Sequence, residues 1–144
     1  MSHRRTVQAE FTRQAESFAR STTLRAPEIT QRMVEALGDR AAGRILDLAC
    51  GPGVLTRVLA GEARRVVGLD LTARVLEVAR RESEPSCTAL VRGAAERTPF
   101  ADGTFDGVTL RLALHHVPDP AAVLCEVRRL LRPGGRAVVR GLLT

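Results

Sequence analysis

Lysine, asparagine, tryptophan and tyrosine are absent from this 144-residue chain, and its only aromatic residues are four phenylalanines. Single-strand nucleic-acid grooves stack bases on aromatic rings, so this thin aromatic set argues against that class of ligand. All 22 basic residues are arginine, and against 16 acidic residues they leave a net charge of +6. Lysine and asparagine have AT-rich codons. Their joint absence points to a GC-rich genome and makes the arginine excess a matter of codon use before it is a matter of ligand. The arginine pairs at 64–65, 80–81 and 128–129 fall near expected helix ends or just before a strand, where a solvated face explains them. No apolar run approaches the roughly 20 residues of a membrane-spanning helix. The longest uncharged stretch, Leu48 to Thr56, holds two glycines and a proline. The N-terminal region has no apolar signal core, and Glu10 and Glu16 argue against a transit peptide. Cys50, Cys87 and Cys125 are odd in number and too far apart for a C-x-x-C pair, so free thiols in a reducing cytoplasm are expected. The three histidines show no zinc-type spacing, and no metal is expected.

What is present is the mixture of a globular protein, 44% hydrophobic and 26% charged, with room for one domain over residues 1–144. Val7, Phe11, Ala15 and Phe18 recur at helical spacing. A second helix is expected from Pro27, with Ile29, Met33 and Leu37 as its apolar stripe and Gly38 as its stop. Residues 1–40 thus read as two N-terminal helices and residues 44–144 as an α/β core. In that core, strands are expected at Arg44 to Leu48, Arg65 to Leu69, Thr88 to Val91, Phe105 to Leu110 and Arg136 to Leu143. Helices are expected between them: one through Ala63 burying Leu55, Val58 and Leu59, and one capped by Thr72 running to about Glu84. A third is capped by Asp119, with Val123, Leu124, Val127, Leu130 and Leu131 on one face and Pro133-Gly134-Gly135 as its end. Gly93 to Gly103 reads as a loop with one helical turn. Alternation of apolar strands with helices predicts a doubly wound, mostly parallel sheet of about five strands. Ligands of such sheets sit at the carboxyl ends of the strands, near the switch point.

The first strand runs into Asp47-Leu48-Ala49-Cys50-Gly51-Pro52-Gly53. Gly51 and Gly53 permit a tight turn and a close backbone approach. The third position of a dinucleotide fingerprint is Thr56 rather than Gly or Ala, Pro52 removes an N–H donor, and Asp47 places an anion beside the turn. The loop therefore suits a nucleoside with a cationic group better than a pyrophosphate. Asp70, at the end of the second strand, has the placement of a carboxylate that accepts from both ribose hydroxyls.

With those acids in register, the segments D-L-A-C-G-P-G, V-V-G-L-D, A-E-R-T-P-F-A-D-G-T-F-D, L-A-L-H-H-V-P-D-P and L-R-P-G-G-R resemble the class I S-adenosylmethionine-dependent methyltransferases. They are most similar to the methyltransferase type 11 group, which includes the ubiquinone/menaquinone biosynthesis enzymes. The likeness spans roughly residues 6–144. It implies S-adenosylmethionine as cofactor, S-adenosylhomocysteine as product and a small-molecule methyl acceptor, with the N-terminal helices covering the cofactor site. It implies that Asp47 organises the site around the methionine ammonium. Ala49, Gly51 and Gly53 would line methionine and ribose with backbone, and Asp70 would hold the ribose diol. Leu71 would flank the adenine, the Ala95 amide would meet the ring, and Arg111 would meet the cofactor through its backbone. The chain departs from the pattern at Ala49, which replaces a glycine, and at Ala94, where many relatives carry an acid. Pro52 stands where some relatives have Thr, and Arg140 falls where the last strand is usually apolar.

Methyl transfer from a sulfonium is an in-line displacement, so positioning supplies most of the catalysis. His115 and His116 follow the fourth strand and are the candidate catalytic bases for an acceptor that must lose a proton, His115 the favoured one. Relatives usually continue past the fifth strand with a helix and two antiparallel strands that are lacking here. The last strand is therefore expected to present an open apolar edge, where two chains pair into a homodimer. The same shortness allows a non-catalytic or truncated cofactor-binding module. An RNA methyltransferase would rest on the arginine excess alone.

Overall fold

The computed structural model describes residues 26–111 and 117–140. The expected helix on Val7, Phe11, Ala15 and Phe18 lies outside them. Helix α1 (Ala26–Leu37) buries Met33, Val34 and Leu37. Gly38 adopts φ +61 and does more than stop it, turning the chain into a 3-10 segment, Gly38–Ala42. The elements that follow are β1 (Arg44–Leu48), α2 (Val54–Ala60), β2 (Arg65–Asp70), α3 (Ala73–Glu82) and β3 (Thr88–Arg92). After them come β4 (Phe105–Arg111), α4 (Pro120–Leu130) and β5 (Leu131–Arg140). All strand pairs are parallel, in the order β3-β2-β1-β4-β5. The chain leaves β1 toward β2 on one side and returns to β4 on the other, so the switch point lies between β1 and β4. This is the expected doubly wound sheet.

The period of two along each strand feeds two cores. Leu46, Leu48, Leu69, Val108 and Leu110 pack against Val123, Val127 and Leu130 of α4. Ile45 and Val66 point the other way, against Met33, Val34 and Leu37 of α1 and Leu55 and Leu59 of α2. Each fully buried Leu or Ile contributes about 1.5–3 kcal/mol relative to exposure.

Several boundaries differ from expectation. Helix α2 ends at Ala60, where the Gly61 amide turns back to the Val58 carbonyl at 3.2 Å. Helix α3 ends at Glu82, and Thr72 occupies its N-cap position without a side-chain cap. Residues 93–103 contain no helix, only turns at 95–96 and 102–103 and a bridge between Ala94 and Arg97. On α4, Leu124 is 46% exposed, and Glu126 takes its place on the buried face.

The largest difference concerns β5. Strand pairing begins at Leu131, opposite Phe105, and resumes at Arg136, opposite Gly107. The expected helix terminator, Pro133-Gly134-Gly135, is thus a bulge inside the strand's span. It is pinned from several sides. Arg40 Nε donates to the Gly134 carbonyl at 3.0 Å, and Arg136 Nη1 donates to the Ala36 carbonyl at 2.9 Å. Arg132 Nη1 reaches Asp106 Oδ1 at 2.6 Å, while the Arg44 amide donates to Asp106 Oδ2 at 2.8 Å. Gly135 has no room for a Cβ, which would stand 2.9 Å from the Arg132 and Asp106 carbonyl oxygens.

Close packing also constrains Gly107 on β4, where a Cβ would lie 2.8 Å from Leu37 Cδ2 and 2.9 Å from Ile45 Cδ1. Gly107→Ala is expected to lower the unfolding free energy by about 1–3 kcal/mol through overpacking of α1 on the sheet. Urea denaturation should show a lower midpoint at unchanged slope; an unchanged midpoint would refute the tight contact.

Candidate functional site

The loop after β1 is held to β2. The Cys50 amide donates to the Leu69 carbonyl at 2.9 Å, and the Gly51 amide donates to Asp70 Oδ2 at 2.9 Å. Asp70 Oδ1 accepts from the Thr72 amide at 3.0 Å. Three residues of the loop have left-handed backbone: Ala49 at φ +56, Gly51 at φ +57 and Gly53 at φ +88. Alanine at Ala49 therefore carries strain that glycine would not. The two glycines differ in purpose. A Cβ at Gly53 would lie 3.1 Å from Ala79 Cβ, whereas at Gly51 nothing stands within 4 Å. Gly53 thus serves packing of α2 on α3, and Gly51 faces open space.

Asp47 is buried beneath this loop and makes no surface contact. Its Oδ2 accepts from Thr56 Oγ1 at 2.6 Å and its Oδ1 from Thr109 Oγ1 at 3.0 Å. Burial pushes its pKa up to about 6, against the pull of the two hydroxyls and of Arg111. Burial also raises Asp70, opposed by the amides of Thr72, Gly51 and Leu71. The Cys50 thiol is raised by burial and by the Asp47 and Asp70 charges, so it is not an available thiolate.

The fold therefore gathers Asp47, Ala49, Gly51, Gly53, Asp70 and Leu71 at the carboxyl ends of β1 and β2. Arg92 Nε donates to the Leu71 carbonyl at 3.0 Å. Ala95 is buried in the core that includes Leu48 and Leu69. Arg111 ends β4, across the switch point. His115 and His116 lie outside the described residues.

Three further residues escaped the sequence reading. Thr56 and Thr109 satisfy Asp47; the signals were a hydroxyl early in α2 and another inside an apolar strand. The third is Glu126, an acid on the apolar stripe of α4. Its Oε2 accepts from the Thr98 amide at 2.7 Å and from Thr98 Oγ1 at 2.5 Å, and it pairs with Arg129 Nη2 at 2.7 Å. Arg129 Nη1 also reaches Asp102 Oδ1 at 2.7 Å. This network fastens the loop that carries Ala95. Arg129, then Thr98, hold the Glu126 carboxyl down at about 2, against its burial.

Residues 46–139 match the family model described as a methyltransferase domain. The chain belongs to this methyltransferase family. It is 45% identical over 107 residues to a demethylmenaquinone methyltransferase of Beutenbergia cavernae, covering 74% of this chain and 43% of that one. It is 48% identical over 99 residues to a 2-phytyl-1,4-naphtoquinone methyltransferase of Thermosynechococcus vestitus, covering 65% and 44%. Among solved structures, an S-adenosylmethionine-dependent methyltransferase from Mesorhizobium loti superposes with a TM-score of 0.67 at 32% identity, covering 74% of this chain and 50% of that one. The chain spans less than half the length of these two sequence relatives.

The methyltransferase family implies S-adenosylmethionine as cofactor, and the residues fit it. Gly51 leaves free the space a Cβ would fill, and the Asp70 carboxylate is fixed by two amides with lone pairs to spare. Glu126→Ala leaves Thr98 without its acceptor and Arg129 with Asp102 as its remaining carboxylate, and is expected to cost about 2–4 kcal/mol, read by urea denaturation near neutral pH. The wild-type contribution is present above the ordinary value of 4.5 and lost as pH falls through about 2. Asp47 has the opposite sign: its folded value of about 6 exceeds the ordinary 3.8, so its contribution is full below 3.8 and lost as pH rises through about 6. Relative to Asp47→Asn, the wild type should lose stability across that window; parallel melting curves for the two would refute the buried, raised carboxyl.

Proposed function

We propose that this chain forms the cofactor-binding part of an S-adenosylmethionine-dependent methyltransferase acting on a small molecule. The observation that carries the reading is the Asp70 carboxylate, tied by the Gly51 and Thr72 amides to the rim of an open glycine loop. Bound here, S-adenosylmethionine supplies a methyl group on a sulfonium sulfur, an electrophile already activated for displacement. Asp70 accepts the ribose hydroxyls on its remaining lone pairs. Ala49, Gly51 and Gly53 offer backbone to the methionine and ribose, Leu71 flanks the adenine, and the Ala95 amide meets the ring. Arg111 meets the cofactor through its backbone. Asp47 supplies negative potential beneath the loop, which favours the ammonium and sulfonium charges over a pyrophosphate.

The sequence relatives are named for quinone-type substrates, which supports a small aromatic acceptor. His115, or His116 beside it, removes a proton where the acceptor must lose one. A cytoplasmic setting belongs to the same proposal, supported by the free state of all three cysteines. So does pairing of two chains along the outer side of β5, where no described strand sits and Val139 is 43% exposed.

Saturating S-adenosylhomocysteine at 100 times its dissociation constant is expected to stabilise the fold by about 2.7 kcal/mol. Differential scanning fluorimetry reads this as a rise in Tm, and Asp70→Ala should abolish most of it. A rise with NAD and none with S-adenosylhomocysteine would overturn the reading. An undiminished shift in Asp70→Ala would remove Asp70 from the ribose role.

A further inference from the structure

The carboxyl edge of the sheet carries two arginine side chains to which the methyltransferase reading gives no task. Arg111 closes β4, Arg140 closes β5, and the two are direct partners in strand register. Partners in a parallel pair send their side chains to the same face, as do residues two apart along one strand. Arg111 and Arg140 therefore leave the sheet on the face of Thr109 and Val138. Asp47 lies on that face too, being the register partner of Thr109.

Asp47 is buried and accepts from Thr56 and Thr109, and it acts on Arg111 through space, with no hydrogen bond or ion pair between them. Among the described residues, neither the Arg111 nor the Arg140 side chain has a hydrogen-bond or ion-pair partner. Arg57, Arg129 and Arg132, by contrast, each meet a carboxylate within 3.2 Å. Arg111 is half-buried and Arg140 exposed. Two like charges side by side, one of them partly desolvated, are unfavourable until an anion lies between them. Burial lowers the Arg111 pKa; the attraction of Asp47 opposes this, and the neighbouring Arg140 charge adds a smaller lowering. Guanidinium groups present paired N–H donors that match the two oxygens of a carboxylate.

We infer that Arg111 and Arg140 form an anion subsite at the carboxyl ends of β4 and β5, and that the methyl acceptor is a small molecule whose carboxylate seats there. The second half of this inference rests on the methyltransferase reading. The subsite lies across the switch point from Asp70, so acceptor and donor nucleoside occupy opposite halves of the edge. Arg111 and Arg140 orient the acceptor and select for its charge.

The test titrates benzoate, with benzamide as its neutral counterpart, into the protein at low salt by calorimetry, with and without saturating S-adenosylhomocysteine. Benzoate should bind saturably in both states and benzamide at least about tenfold more weakly. Arg111→Gln and Arg140→Gln should each weaken benzoate by about tenfold, with S-adenosylhomocysteine affinity in Arg140→Gln kept within about threefold. Arg140→Glu, at an exposed position, is the second variant should Arg111→Gln fail to fold, and it should abolish benzoate binding. Equal affinity for benzoate and benzamide, or benzoate binding unchanged in the Arg140 variants, overturns the subsite. Loss of S-adenosylhomocysteine but not adenosine affinity in Arg111→Gln, with benzoate displaced by S-adenosylhomocysteine, would assign the carboxylate to the donor and overturn the acceptor role. S-adenosylhomocysteine binding without benzoate binding refutes the subsite and leaves the proposed function standing. Benzoate binding without S-adenosylhomocysteine binding refutes the proposed function and, with it, the acceptor role.

Discussion

Asp47 joins three elements at the switch point of the sheet, and the crevice keeps its shape through that junction. Its carboxylate stands on β1, accepts from Thr109 on β4 and from Thr56 on α2. A buried carboxylate with a missing donor would be costly. Here both oxygens are satisfied by hydroxyls, and among the described residues no buried side-chain polar atom is left without a partner. The same residue thereby fixes how far β4 stands from the helix that follows the glycine loop. The loop itself can hold three left-handed residues, one of them an alanine, because its ends are fastened to β1 and β2 by register and by Asp70.

That junction also divides the carboxyl edge electrostatically. On the β1–β2 side the charges are Asp47 and Asp70, both raised by burial and hence sensitive to any cation brought near. On the β4–β5 side they are Arg111 and Arg140. An edge with acids on one half and arginines on the other discriminates ligands by sign as well as shape. Under the proposals above, a cationic donor on the first half and an anionic acceptor on the second would bring opposite charges together without desolvating like ones. A dinucleotide would put its pyrophosphate against the acidic half, which makes this fold a poor host for one despite its glycine turn.

The strand and helix order is legible in the chain because each strand is a short apolar run, and each helix carries its own 3.6-residue stripe. The ends of elements are less legible. Pro133-Gly134-Gly135 reads as a helix stop on local grounds, yet the strand has already begun at Leu131. Arg40, Arg132 and Arg136, acting from distant or flanking positions, hold the bulge in place. On α4, hydrophobicity alone selects Leu124 as core and passes over Glu126. The buried position goes to the acid because a loop amide, a hydroxyl and Arg129 wait for it there. At the site, Asp47 and Asp70 are legible from type and spacing. Their partners are not, since Thr109 acquires meaning only when β4 returns beside β1 and Thr56 only once α2 packs over Asp47.

Helix α4 ties the two halves of the edge together. Glu126 on its buried face holds Thr98, and with it the loop carrying Ala95 beside the β1–β2 half. The same helix runs from Asp119, whose carboxylate caps the Ala122 amide at 3.1 Å, into β5 and so toward Arg140. Because Val123, Val127 and Leu130 are buried against the sheet, the helix cannot shift without moving both its attachments. A change in the Thr98–Glu126–Arg129 network should therefore reach the β4–β5 half through packing, with no direct contact needed. Energetic coupling between the two halves of the edge therefore depends on the rigidity of this one helix more than on any residue within the crevice.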